Sequence, residues 1–368
     1  MRFYATLSPG LEEVSAKEIE DFGGRITEIR KNRGRVFFEG DLELMAKLNY
    51  MARTVERIMI LLRVERFESL DDIYRIVKEL DFGWIRPDQS FAIRPLRVGE
   101  HDFTSLDVGR VAGQAVIDSY MEAKGVRLRV NLDEPDVIIR VDVIFDEIYV
   151  GIDTTGDEAL HKRGYRVYDH PAPLNPTIAS AMVMLSEWKP EEILVDPMCG
   201  SATIPIEAGM MGKNLPPQMK RREFQFVKIF GYDPLEKVIE SVNVVERDMT
   251  LVGVERFRKH LLGARSNCKE AGVDVHLVQG DATKLCLKEA DVMITNPPYG
   301  LRIAKKGVIE RLYEGFLRSA KDVTDRMAVI TAEDRIFREK ALKLDYVIER
   351  EIWVKYGGLD TRIFLLHT

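Results

Sequence analysis

The stretch "DVMITNPPYG" (291–300) runs an apolar segment straight into an amide, two prolines and a phenol. An exocyclic amine is a poor nucleophile, because its lone pair is delocalised into the adjoining π system. If the side-chain oxygen of Asn296 and the carbonyl of Pro297 each accept one N–H, that lone pair can be turned towards an electrophilic methyl group. Pro297 and Pro298 carry no N–H and fix φ, so such a loop holds its carbonyls rigidly. Catalysis would then come from positioning and pre-set acceptors, without a general base of perturbed pKa. Tyr299 offers a ring on which a flipped base can stack. A strand-end turn with a core tyrosine is the plainer reading of the same four residues, so their surroundings must decide.

"LVDPMCGSATIP" (194–205) places small residues after a buried strand and before a helix, where doubly wound sheets let a ligand approach the backbone. Asp196, Gly200, Ser201, Ala202 and Thr203 are the candidate cofactor residues. A nicotinamide site would want G-x-G-x-x-G, and only Gly200-x-Ala202 is present. Two acids compete for ribose hydroxyls, Asp233 in "FGYDPLEKV" and Glu255 in "LVGVERF". A full helix and then a strand ending in Asp281 follow Glu255, keeping the βαβ rhythm, whereas Asp233 sits in an inserted helical stretch. Glu255, with Arg256 beside it, is the choice. Asp281, followed by Ala282, is placed to accept from an adenine amino group; a helix N-cap is its alternative role.

Strands alternating with helices from residue 177 onward require a parallel sheet covered on both faces. The last stretch, "YVIEREIWVKYGGLDTRIFLLHT", reads instead as two strands joined by a Gly357-Gly358 hairpin turn. Ahead of this α/β unit the patterning gives strand, helix, two strands, helix, strand over 1–65, a ferredoxin-like unit. A second α+β unit spans 66–155. Residues 156–176, with three prolines in "HPAPLNP", read as a linker.

The chain has 368 residues and is 45% hydrophobic, ample for two or three domains. Its longest apolar run, "VERIMILLRV", is interrupted by charge, and "MRFYATLSPG" lacks the apolar core of a signal peptide, so a cytoplasmic protein without a membrane partner is expected. The three cysteines stand far apart and the six histidines show no ligand spacing, which argues against disulfides and zinc. Only five Gln and eight Asn accompany 31% charged residues, a lean towards thermophile composition. A net charge of −6 excludes a uniformly cationic nucleic-acid binder but leaves basic patches such as "HKRGYR" (161–166) open.

Together these residues resemble the class I S-adenosylmethionine-dependent amino-methyltransferases with the (N/D)PP(Y/F) signature. The front half narrows the resemblance. "FAIRPLRVGEHDFTSLDVGRVAGQAVIDSYMEAKG" and "VNLDEPDVIIRVDVIFDEIYVGIDTTGDEALHKRGYR" look like a THUMP domain with its following junction. With "LHKRGYR" and "APL", the whole chain is similar to the THUMP-linked RNA guanine-N2-methyltransferases. Within them it most resembles the tRNA enzymes acting on guanosine 6 of the acceptor stem; those acting on guanosine 10 usually carry Asp where this chain has Asn296.

The resemblance implies a seven-stranded class I methyltransferase sheet over 177–368, preceded by the ferredoxin-like unit and an RNA-binding THUMP module. It implies S-adenosylmethionine as cofactor and tRNA as partner, with a monomer expected. Methionine and backbone contacts fall on Gly200, Ser201, Ala202 and Thr203, ribose on Glu255, adenine on Asp281 and Ala282, and the amino group on Asn296 and Pro297. Leu174 of the "APL" peptide is a further cofactor candidate. The family usually has Gly where this chain has Ala202, and an alanine at positive φ costs about 1 kcal/mol. Arg163, Arg166 and Arg302 are candidates for phosphate contacts, with intramolecular ion pairs as the alternative. Two rivals remain. A protein-glutamine or DNA-adenine enzyme shares "NPPY", and the former would need no RNA-binding front half, so deleting 1–155 should spare its activity. A non-catalytic THUMP protein would bind S-adenosylmethionine poorly.

Overall fold

The structure, a computed structural model, describes residues 1–299 and 306–368. The front half contains β1 (Arg2–Thr6), α1 (Glu12–Asp21), β2 (Arg25–Arg30), β3 (Arg35–Glu39), α2 (Leu42–Met51), β4 (Arg57–Arg66), α3 (Leu70–Lys78), β5 (Ser90–Val98), α4 (Ser105–Lys124), β6 (Arg129–Val130), β7 (Val137–Ile144) and β8 (Glu147–Asp153). Local chemistry sets several of these boundaries. Ser69 with Asp72 and Thr104 with Asp107 form capping boxes that start α3 and α4. Gly125, at φ 71°, ends α4 in the left-handed conformation.

The ferredoxin-like unit and the α+β unit after it share a sheet. Their strands form one eight-stranded sheet in the order β2-β3-β1-β4-β8-β7-β5-β6, joined where β4 pairs antiparallel with β8. Helices α1 to α4 pack on one face, in apolar clusters containing Phe3, Val36 and Ile58 at one end and Val116, Ile139 and Val150 at the other. The opposite face curls on itself. Arg35 on β3 forms a buried ion pair with Asp142 on β7, four places along the sheet, beside Tyr4, Phe37, Met59 and Tyr149.

The rear half contains α5 (Pro176–Leu185), β9 (Leu194–Asp196), α6 (Thr203–Gly212), α7 (Gln225–Phe230), α8 (Asp233–Ser241), β10 (Leu251–Glu255), α9 (Arg258–Ala271), β11 (His276–Gln279), β12 (Val292–Thr295), α10 (Lys306–Lys321), β13 (Arg326–Thr331), α11 (Asp334–Lys343), β14 (Val347–Tyr356) and β15 (Leu359–His367). Its seven strands run β11-β10-β9-β12-β13-β15-β14. The first five are parallel, and β15 lies antiparallel between β13 and β14. The β14–β15 turn has Gly357 at φ 54° and Gly358 at φ 86°, the two positive φ values that a tight hairpin turn requires. The chain moves outward from β9 to β11 and then returns to β12, so the topological switch lies between β9 and β12. Ligands bind there in open α/β sheets.

The two halves share one core. Phe3, Leu48 and Ile58 belong to the same buried apolar cluster as Ile178, Ile204 and Leu251. The amide of Lys355 donates to Pro9 O at 2.9 Å, and a Cβ on Gly10 would stand 1.8 Å from Trp353 O, so only glycine permits this approach. The insertion carrying α7 and α8 is a brace against the front half. Gln225 Nε2 donates to the carbonyl of Asp136 at 2.7 Å, and Phe226 N donates to that of Thr154 at 2.9 Å.

Candidate active site

Residues 197–202 turn from β9 into α6 with Gly200 at φ 54° and Ala202 at φ 62°. The position where glycine was anticipated therefore does adopt the left-handed conformation, with alanine bearing the strain of about 1 kcal/mol. Ala202 is also the N-cap of α6 and supplies no side-chain cap, which leaves first-turn N–H groups without a side-chain acceptor. Gly200 N donates to Glu255 Oε2 at 3.2 Å and Phe257 N to Glu255 Oε1 at 2.7 Å. Each carboxylate oxygen keeps a lone pair, the acceptor set that two neighbouring hydroxyls require.

Asp281 caps the short 3₁₀ turn at 282–284: Thr283 N and Thr283 Oγ1 donate to its Oδ1 at 2.9 and 2.7 Å. Those two bonds hold its carboxyl below the usual carboxylate range. Both fall on one oxygen, leaving Oδ2 available, so capping and ligand recognition are compatible. Ala282 is buried beside it, while Arg256 is exposed, with its guanidinium 5.9 Å from the Phe257 ring. Asp233, the rejected ribose candidate, opens α8 and is exposed.

Asp196 ends β9 and Asn296 directly follows β12, the two strands flanking the switch. Thr295 Oγ1 and Met198 N donate to Asp196 Oδ1 at 2.8 and 3.1 Å. Burial pushes this carboxyl up to about 7, against the pull of those two bonds. Within the loop, the Tyr299 hydroxyl donates to Asn296 Oδ1. Burial raises the Tyr299 pKa well above that of a free phenol, so the hydroxyl remains a donor. Tyr313, fully buried on α10, donates to Pro298 O at 3.4 Å and pairs with Thr331 Oγ1 at 2.8 Å.

The proline-rich segment before α5 contains no helix or strand, yet it is bonded to this site. Arg166 donates to Leu174 O, and to Thr203 Oγ1 at 3.0 Å. Tyr356, at the end of β14, donates to Pro173 O. Arg163 corrects the expectation of a phosphate contact. Its side chain is 0% exposed, pairs with Glu207 Oε1 at 3.3 Å and donates to the carbonyls of Leu160 and Arg53. Arg166 is likewise committed within the protein. Arg302 lies outside the described residues. Tyr313, Tyr356 and Thr295 were missed, because each meets the site through contacts distant in sequence that no local pattern marks.

Comparison with known proteins identifies the family. The family model "RMKL-like, methyltransferase domain" matches residues 163–362, the RlmL ferredoxin-like domain matches 2–59 and the THUMP domain 67–153. The chain belongs to the THUMP-bearing, RMKL-like methyltransferase family. It is 54% identical to the tRNA (guanine(6)-N2)-methyltransferase of Methanocaldococcus jannaschii, over 100% of both chains. The protein of the same name from Archaeoglobus fulgidus is 52% identical, over 99% of this chain and 92% of its own. The solved structure of SMU.472 complexed with SAH superposes with a TM-score of 0.84 at 25% identity, covering 99% of this chain and 97% of that one. For a methyltransferase of this family, the cofactor is S-adenosylmethionine. The residues present fit it: an uncapped helix start, a positive-φ loop and an acid with acceptor capacity for a diol converge at the switch point.

Proposed function

We propose that the protein methylates the exocyclic N2 amine of guanosine 6 in the acceptor stem of tRNA. The observation that carries this reading is the placement of Asn296-Pro297 beside the Gly200–Glu255 loop at the β9/β12 switch, in a chain similar over its full length to two enzymes named for that reaction.

S-adenosylmethionine, when bound, supplies a methyl group on a sulfonium. Glu255 would hold the ribose hydroxyls, with Arg256 beside it, and Asp281 Oδ2 would take the adenine amino group against Ala282. The uncapped start of α6 and the backbone of Gly200, Ser201 and Ala202 would receive the methionine end, with Asp196, Thr203 and Leu174 closing the site. Asn296 Oδ1 has two lone pairs; Tyr299 uses one and so fixes which way the amide faces. The second accepts one N–H of the guanine amine and the Pro297 carbonyl accepts the other, turning the nitrogen lone pair towards the methyl group. The new C–N bond would form as the methyl–sulfur bond of the sulfonium breaks, leaving neutral S-adenosylhomocysteine, and the surplus amine proton would leave to solvent. The Tyr299 ring would stack the flipped base. Recognition of the folded tRNA falls to the front half, because an RNA helix hides its base edges in a deep groove.

The test incubates unmodified tRNA transcripts with labelled S-adenosylmethionine, digests to nucleosides and maps the product. N2-methylguanosine at position 6, reduced by about a hundredfold or more in Asn296→Ala, is the expected result. Transfer to protein glutamine or DNA adenine instead, or cofactor binding without transfer to any tRNA, overturns the reading.

A further inference from the structure

The segment 165–175 meets the cofactor loop at Gly200 and Thr203, and one buried side chain bridges the two. Asn267, on α9, is 0% exposed. Its Oδ1 accepts from Val167 N at 3.0 Å and from Tyr168 N at 2.9 Å. Its Nδ2 donates to Ser201 O at 3.3 Å and to Tyr168 O at 3.4 Å. A primary amide has two lone pairs and two N–H groups, and here all four are used on two irregular segments. We infer that Asn267 is the positioning residue that locks the Gly200–Thr203 loop to the strap formed by residues 165–175, so that the cofactor site keeps its shape only while the strap is seated.

Three independent contacts support the seating. One turn earlier on the same face of α9, Gly263 receives the Tyr168 ring so closely that a Cβ would stand 2.2 Å from it. Arg166 reaches from the strap to Thr203 Oγ1 at 3.0 Å. His170 covers Gly200, its Nε2 3.4 Å from where a Cβ would sit. Ser201, between two residues of positive φ, is the loop position held by Asn267, and strained backbone of this kind persists only where its surroundings over-determine it. The buried carbonyl of Ser201 and the amides of Val167 and Tyr168 would otherwise have to find other partners at the expense of the loop conformation.

The inference rests on reading this loop as the S-adenosylmethionine site, and its test separates the two. Binding of S-adenosylmethionine to the full chain is measured by calorimetry, and tRNA binding by filter retention, for the wild type, Asn267→Asp and Gly263→Ala. Aspartate keeps the acceptors for Val167 and Tyr168 but faces two carbonyls without an N–H. We expect the cofactor Kd to rise about tenfold or more with the tRNA Kd unmoved, and the loss to appear in KM for the cofactor ahead of kcat. Gly263→Ala leaves Asn267 intact, favours the helix and unseats Tyr168, so it should raise the same Kd even if Asn267→Asp does not fold. If the wild type binds and folded Asn267→Asp binds equally well, Asn267 has no such role; if Gly263→Ala binds equally well, the site does not depend on the seated strap. A wild type that binds no S-adenosylmethionine overturns the reading of the site instead.

Discussion

The hydroxyl of Tyr299 donates to Asn296 Oδ1, the oxygen that the proposed chemistry needs as an acceptor. A carbonyl oxygen accepts twice, so the contact fixes the amide orientation without filling the site. Tyr299→Phe keeps the ring and loses the hydroxyl. Single-turnover transfer should slow about tenfold, the scale of one hydrogen bond, with the cofactor Kd unchanged. A variant that transfers at the wild-type rate would show that the hydroxyl does not orient Asn296.

Asp196 gives the free protein a pH signature. Burial raises its carboxyl to about 7 in the folded state, whereas an unfolded chain ionises near 3.9. Between about 4 and 7 the unfolded state therefore binds fewer protons than the folded one, and stability falls as pH rises, by up to about 1.4 kcal/mol per pH unit; above about 7 the contribution is flat. Urea unfolding of the wild type and Asp196→Asn across this range should show the slope lessened in the variant. Parallel curves would mean that Asp196 ionises normally in the fold.

Arg163 distinguishes a structural cation from an RNA-binding one. Its removal leaves Glu207 buried with the Tyr165 and Ser180 hydroxyls at 2.8 and 2.6 Å but without its ion-pair partner. Arg163→Ala should cost about 3–5 kcal/mol of stability. The slope of log tRNA affinity against log salt should not change, because no phosphate contact has been lost. A shallower slope at full stability would return Arg163 to the RNA interface.

The catalytic half was legible because its chemistry is local. Strand ends, the small-residue turn, Glu255 at the end of β10 and the glycine hairpin are each set by neighbours within a few residues. The sequence reading went wrong where partners are distant. Nothing near Arg35 signals Asp142, and nothing in "HKRGYR" distinguishes a buried Arg163 from a solvated one, because burial is decided by Glu207 and by a carbonyl at Arg53. The same holds for Asn267, whose partners lie at Val167, Tyr168 and Ser201.

Deletion of residues 1–155, offered above as a way to tell a protein substrate from RNA, is predicted to fail for a physical reason. The apolar cluster of the rear half includes Phe3, Leu11, Leu48 and Ile58 from the front half. Removing them uncovers Ile178, Ile204 and their neighbours, and takes away the Arg53 carbonyl that Arg163 bonds and the Tyr50 carbonyl that receives Gln218 N at 3.4 Å. A contiguous apolar surface of this kind drives aggregation. Fragment 156–368 should elute as aggregate on size exclusion and lack a cooperative thermal transition, with the full chain as control. A soluble fragment with such a transition would show that the rear half folds alone, and the shared core would then be an interface between two independent domains.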